Sequence, residues 1–187
     1  MDKTKQKIAF SFLIAIFLAA FEGVVVSTAA PVIVKSLHNF KMISWFFSIF
    51  LLSSAISTPI YGKLADLYGR KRIFMIGISI FLFGSLLAGL SQTMHQLIIF
   101  RGIQGIGAGA IFTIGFTMIG DIFTLEERSI IQGAISTIWG IAGLVGPLLG
   151  GFLIDYLSWQ WIFFINIPFC LLSVYFLAKI VLEQIPA

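Results

Sequence analysis

The chain has 187 residues, of which 59% are hydrophobic and 11% charged, with a mean hydropathy of +1.04 and a formal net charge of +4. Soluble domains carry about 25% charged residues, so this composition excludes a soluble globular fold and points to a membrane protein. The few cations are not a nucleic-acid signal, and the one cysteine, Cys170, can form no internal disulfide.

A bilayer core of about 30 Å needs about 20 apolar residues per helix. Six stretches qualify, at about residues 8–34, 43–63, 73–93, 96–120, 129–154 and 160–182. The joints between them, "KSLHNFKM", "GKLADLYGRKR", "SQTMHQ", "DIFTLEERS" and "DYLSWQW", are short. Short joints force neighbouring helices antiparallel and predict an all-α membrane protein, a bundle of six transmembrane helices. No stretch is left over for a soluble domain. If the N-terminus is cytoplasmic, Lys3, Lys5, Lys7, Lys63, Arg70, Lys71, Arg72, Arg128 and Lys179 lie inside, only Lys35 and Lys41 lie outside, and Arg101 falls within a span. Nine cations against two is a positive-inside bias. Both termini are therefore expected in the cytoplasm of a multi-pass protein of the plasma or inner membrane.

The first span opens on "MDKTKQK" and holds an "LAA" that imitates a signal-peptide cleavage site, but the apolar run continues to Val34 and five spans follow, so it reads as a retained helix. It carries one acid, Glu22, about midway. An ionisable group there costs roughly 2.5–3.5 kcal/mol on insertion scales, and such groups mark ion or proton pathways. On a helix Glu22 shares a face with Ser11, Ala15, Ala19, Val26 and Ala29, whereas Phe10, Ile14, Phe17 and Phe21 form a bulky stripe expected to face lipid. After the second span, "GKLADLYGRKR" combines four cations with Asp66 and Gly69. Gly69 suits a helix end, Asp66 can accept charged hydrogen bonds, and the loop can latch one state of the bundle.

The fourth span holds Arg101, with Gln104 one turn on along the same face. Burial disfavours a charged carboxylate and a nearby arginine favours it. Poised between the two, Glu22 can bind and release protons near neutral pH; alternatively, a static Glu22–Arg101 pair simply locks two helices. Twelve of the 18 glycines fall between Gly102 and Gly151, in the fourth and fifth spans. Small residues let helices approach in lipid, as at Gly105 and Gly109 or at Ala142, Gly146 and Gly150. "GIQGIGAGA" imitates a dinucleotide-binding loop, but that fingerprint needs a preceding strand and an aqueous crevice, so it is rejected inside a membrane helix. Pro147 removes a backbone hydrogen bond mid-span and is expected to bend the fifth helix. The second and fifth spans close on related endings, "GKLADLYG" and "GGFLIDYLS", as two inverted three-helix repeats would. His38 and His95 fall in outer joints, and neither a Ser–His pair nor a metal-ligand set occurs within the spans, which argues against an enzyme.

Together these pieces resemble the N-terminal half of a major facilitator superfamily transporter. "GKLADLYGRKR" resembles the family's loop between spans two and three, through Gly62, Leu64, Ala65, Asp66, Gly69, Arg70 and Lys71, with Leu67 where a basic residue is frequent. "RGIQGIGAGA" resembles the span-four motif through Arg101, Gln104, Gly105 and Gly107. "AGLVGPLLGG" resembles the span-five antiporter motif through Gly146, Pro147, Gly150 and Gly151, with Ala142 for the leading glycine. "EGVVVSTAAP" and "SWQWIFFINIPF" resemble stretches of the fourteen-span drug:proton antiporters, with Glu22 at the acid position.

The resemblance implies proton-driven export of lipophilic, often cationic compounds, with protons as coupling ion and no other cofactor. It would make Glu22 a proton or substrate carboxylate and Arg101 its coupling partner. Asp66, Arg70 and Asp121 would form a cytoplasmic charge network, and Gly146–Pro147 a flexible point. It also implies a C-terminal half that this sequence does not contain, since the transport path runs between two halves. Two other readings stay open: a six-span membrane protein that binds or scaffolds a partner without transporting, and a symporter for a metabolite, against which the span-five motif argues. The 20 phenylalanines mostly suit lipid, although some could hold an aromatic cation.

Overall fold

The computed structural model describes residues 3–181, which are helical almost throughout. The long helices are α1 (Lys3–Ser36), α2 (Ile43–Tyr68), α3 (Arg70–Gly89), α4 (Met94–Ile122) and α5 (Leu125–Tyr156). A short α6 (Trp161–Phe164) and α7 (Asn166–Val181) follow. Among the described residues, five helices are long and apolar enough to cross a membrane.

Where the sixth span is expected, two shorter helices stand instead: Ile165 separates α6 from α7, and the last residue of the expected span, Leu182, lies outside the described residues. Pro168 explains the break. It has no N–H to donate to the carbonyl four residues back, and its ring crowds that carbonyl, which is Phe164's.

Two joints are shorter than hydropathy suggests. α2 runs on to Tyr68 and α3 starts at Arg70, so Gly62, Lys63 and Asp66 are helical rather than in a loop. Likewise Asp121 sits in the last turn of α4. Hydropathy marks where lipid ends; a helix can continue into water with its charges solvated. Gly69 alone makes the α2–α3 turn, at φ 89° and ψ 135°, a conformation reserved for glycine. At the α4–α5 joint, Thr124 and Glu127 form a reciprocal capping box. Arg128 donates to the carbonyls of Gly120 and Phe123, satisfying the end of α4.

α1 packs along α5, and α2 along α4; α3 packs on α4 as α7 packs on α1; and α3 also meets the α6–α7 pair. Exchanging spans one to three with spans four to six carries the first two pairs onto each other, the next two likewise and the last onto itself, the pattern that two inverted three-helix repeats produce.

Glycines set the closest approaches. Gly105 and Gly109 of α4 face Phe50, Ser53, Ser54 and Ser57 of α2, and Gly107 faces Gly77 and Phe81 of α3. Gly146 and Gly150 of α5 lie against Val24, Val25 and Thr28 of α1. α5 is one continuous helix through Pro147.

Candidate functional site

Apolar packing divides along the bundle into two large clusters. One, towards the end that carries Arg70 and Asp121, includes Phe12, Leu18, Phe74, Phe81, Ala108 and Cys170. The other includes Val25, Phe46, Ala88, Leu97, Trp159 and Phe163. Between them lie buried polar residues of α3, α4 and the α6–α7 pair, namely Ser85, Arg101, Gln104 and Asn166, while Ser173 of α7 is buried farther along, beside the first cluster. Glu22 joins them from α1. The result is a polar layer across the middle of the bundle.

Arg101 Nη1 donates to Glu22 Oε1 and also to Gln104 Oε1, the latter at 2.9 Å. Asn166 Nδ2 donates to Glu22 Oε2 at 3.2 Å and to Ser85 Oγ at 2.9 Å. Ser85 Oγ in turn donates to the Phe163 carbonyl at 2.9 Å, beside the break at Ile165, where a carbonyl of an interrupted helix needs a partner. Both charged side chains are almost fully buried, at 1% for Glu22 and 3% for Arg101. The guanidinium carbon lies 4.0 Å from the centre of the Phe50 ring and 5.4 Å from that of Phe46. Such stacking suits a planar, weakly hydrated cation. Arg101 Nε, Gln104 Nε2 and Asn166 Oδ1 are buried without a hydrogen-bond partner.

Three residues singled out by sequence thus meet here: Glu22, Arg101 and Gln104. The face of α1 around Glu22 (Ser11, Ala15, Ala19, Val26 and Ala29) is buried as expected, but Phe21 is buried too, at 2%, not lipid-facing. It belongs to the second apolar cluster. Ser85 and Asn166 were missed. The available signal was polarity inside apolar runs, "FFINIPF" for Asn166, but neither side chain is charged and neither has a sequence neighbour to pair with.

A second group lies at the α2–α3–α4 end. Arg70 pairs with Asp121 and approaches Asp66 at 3.8 Å. It also donates to the Thr117 carbonyl at 3.4 Å. Asp66 is largely exposed, so its share of this cluster is the weaker. Lys71 stands half-buried in the first turn of α3, and a methyl group on Gly62 would lie 3.8 Å from Thr113 Cγ2, an ordinary contact. In α5, Gly146 and Gly150 serve the α1 contact, whereas Pro147 is exposed and a methyl group on Gly151 would meet nothing within 4 Å. Among the described residues, no group of three or more metal-ligating side chains is close enough to hold an ion.

The family model of the Major Facilitator Superfamily matches residues 12–186. The chain is 41% identical over 191 residues to Multidrug resistance protein 3 of Bacillus subtilis, covering 99% of this chain and 37% of that protein. It is 42% identical over 167 residues to Multidrug transporter protein MdtP of the same organism, covering 89% and 31%. The efflux pump dotC of Dothistroma septosporum is 39% identical over 155 residues, with 83% and 27% covered. The chain therefore spans about a third of the length of these relatives. The crystal structure of the human organic anion transporter MFSD10 (TETRAN) superposes with a TM-score of 0.76 at 16% identity, over 100% of this chain and 49% of that one; at that identity it speaks for the fold alone. By fold, by matched length and by relatives, this chain belongs to the Major Facilitator Superfamily of transporters.

Proposed function

We propose that the chain is the N-terminal six-span half of a proton-coupled multidrug efflux antiporter of the fourteen-span type, exporting lipophilic, cationic compounds by alternating access. The observation that carries this reading is the Glu22–Arg101 pair, buried where lipid and protein together exclude water. Such a pair is costly to build and cannot be justified as surface electrostatics. A carboxylate held there by one arginine and one amide has a defined neutral alternative: it takes up a proton and releases its hold on Arg101. Proton arrival from one side of the membrane and departure to the other would then drive substrate the opposite way.

The other sites take supporting roles. Gly62, Asp66, Gly69, Arg70, Lys71 and Asp121 form the cytoplasmic gating region, with Arg70 as its hub. Gly146, Pro147, Gly150 and Gly151 let α5 sit close against α1 near Glu22 and give where the exposed Pro147 has removed a hydrogen bond. An open apolar groove of about 530 Å³ between α1 and α5, lined by Phe10, Phe17, Thr137 and Ile138 among others, suits a lipophilic compound or a lipid tail. Protons are the only coupling ion required, both termini are cytoplasmic, and a C-terminal half completes the path.

The test is transport by the full-length gene product in everted vesicles. A fluorescent lipophilic cation should be pumped when a pH gradient is imposed, and Glu22→Gln should abolish that response while the protein still reaches the membrane. Unaltered pH-driven pumping by Glu22→Gln would sink the proposal.

A further inference from the structure

An ionised carboxylate only accepts hydrogen bonds, whereas a protonated carboxyl must also donate one. Any site where an acid gains and loses a proton in a dry interior therefore needs a neighbour that can change from donor to acceptor. Around Glu22 the choice is narrow. Arg101 has only donors. Gln104 also lies beside Glu22, but its Oε1 accepts from Arg101 Nη1 at 2.9 Å, and turning that amide would set Nε2, a donor, against the cation. Asn166 touches Glu22 Oε2 through Nδ2, while its own Oδ1 is buried without a partner. Of the side chains against the acid, Asn166 is thus the one whose acceptor is free to turn towards it.

We propose that Asn166 is a positioning residue that reads the protonation state of Glu22, presenting Nδ2 to the ionised acid and Oδ1 to the protonated one, and passes the change through Ser85 to the break in the sixth span. The inference rests on the reading of Glu22 as a proton carrier. When the carboxylate takes up one proton, the new O–H faces Nδ2, a donor against a donor. Half a turn of the amide about its terminal bond replaces Nδ2 with Oδ1, which accepts from Glu22. The same turn reverses the second bond. Ser85 Oγ now accepts from Nδ2 and donates to the Phe163 carbonyl; facing Oδ1 it must donate, and its only proton leaves Phe163. A carbonyl beside the Ile165 break then loses its side-chain donor and keeps only the shared Ile165 N–H, which favours rearrangement of α6 against α7.

Arg101 from α4 and the Cys170 thiol from α7 are the titratable or charged groups that face Glu22. α3 and α5 carry their charged residues only near their ends, and α6 carries none. Among the described residues, no second acid within this layer competes for the proton.

Infrared difference spectra between high and low pH, taken on the full-length gene product in lipid vesicles, read the bond directly. Wild type should show a carboxyl C=O band that Glu22→Gln removes. In Asn166→Leu the band should move to higher frequency, because the carboxyl has lost its acceptor. In Ser85→Ala it should move to lower frequency, because Oδ1 no longer divides itself between two donors. Gln104→Leu should move it less than Asn166→Leu does. If wild type shows no Glu22-dependent band, the proton reading itself fails and this inference with it. If the band exists but stays put in a folded Asn166→Leu, or moves in Gln104→Leu instead, the proton reading stands and the role given to Asn166 is overturned. Should Asn166→Leu fail to fold, Ser85→Ala decides alone: a downward shift supports the switch and an unmoved band rejects it.

Discussion

Glu22 and Arg101 are partners of unequal independence. A carboxyl stranded in an apolar layer can become neutral by taking a proton, but a guanidinium cannot lose one. Glu22→Met should therefore destabilise the bundle by about 3–5 kcal/mol, the usual cost of orphaning a buried charge. Arg101→Met should cost clearly less, and the double substitution should recover much of the Glu22→Met loss. Denaturation of the four proteins in detergent micelles checks this; equal, additive costs would show that the two charges do not depend on each other. The two charges were legible in the sequence, because ionisable groups inside apolar spans are rare; that they touch was not, because sequence gives a residue's depth and face but not its neighbour. Ser85 and Asn166 were not. Uncharged polar residues are cheap enough in a helix to occur without function, and only the folded bundle places these two at the depth of Glu22.

At the level of the helices, glycine separates two kinds of face. A methyl group on Gly107 would lie 2.6 Å from both the Gly77 carbonyl and the Phe81 Cα, so the backbones of α3 and α4 would have to part. Gly133 and Gly140 of α5 have nothing within 4 Å. Gly107→Ala should lower stability by about 1–3 kcal/mol, while Gly133→Ala and Gly140→Ala leave it unchanged or slightly raised, as thermal melting in detergent would show. A similar melting point for all three would refute the close packing of α3 on α4. Gly69→Ala should cost about 1–3 kcal/mol through backbone strain alone, because a methyl group there crowds no neighbouring atom; restoration by a second glycine at position 68 would contradict that cause. Glycine spacing disclosed which helices pack tightly but not with which partner, since GxxxG names a face and not a neighbour. Hydropathy found the five long helices yet misjudged the ends of α2 and α4 and missed the Ile165 break, because it measures preference for lipid rather than helical continuity.

For the molecule as a whole, the bias of cations predicts which end is cytoplasmic. The one cysteine of this sequence is buried, and replacing Cys170 together with any cysteine of the C-terminal half gives a clean background for new thiols. Lys71→Cys should react with an impermeant maleimide only after the membrane is opened, and Lys41→Cys should react in intact cells. The reverse pattern would invert the topology and place the Arg70–Asp121 cluster outside. The inverted repeats were legible only as a faint echo between two span endings. Their real signature is in the pairing of helices, to which sequence patterns within one span are blind.

That pairing also bears on how the chain comes to be made. Nearly every broad helix–helix interface joins one of the first three spans to one of the last three, so the early spans wait in the bilayer with little to hold. Glu22 waits for its counter-ion: Arg101 follows 79 residues later, about 4–16 s at ribosomal speeds of about 5–20 residues per second. For those seconds the nascent protein carries an acid in oil with no counter-ion, kept neutral by a borrowed proton or sheltered by the insertion machinery. A ribosome stalled between the third and fourth spans would therefore leave a product for quality control to find.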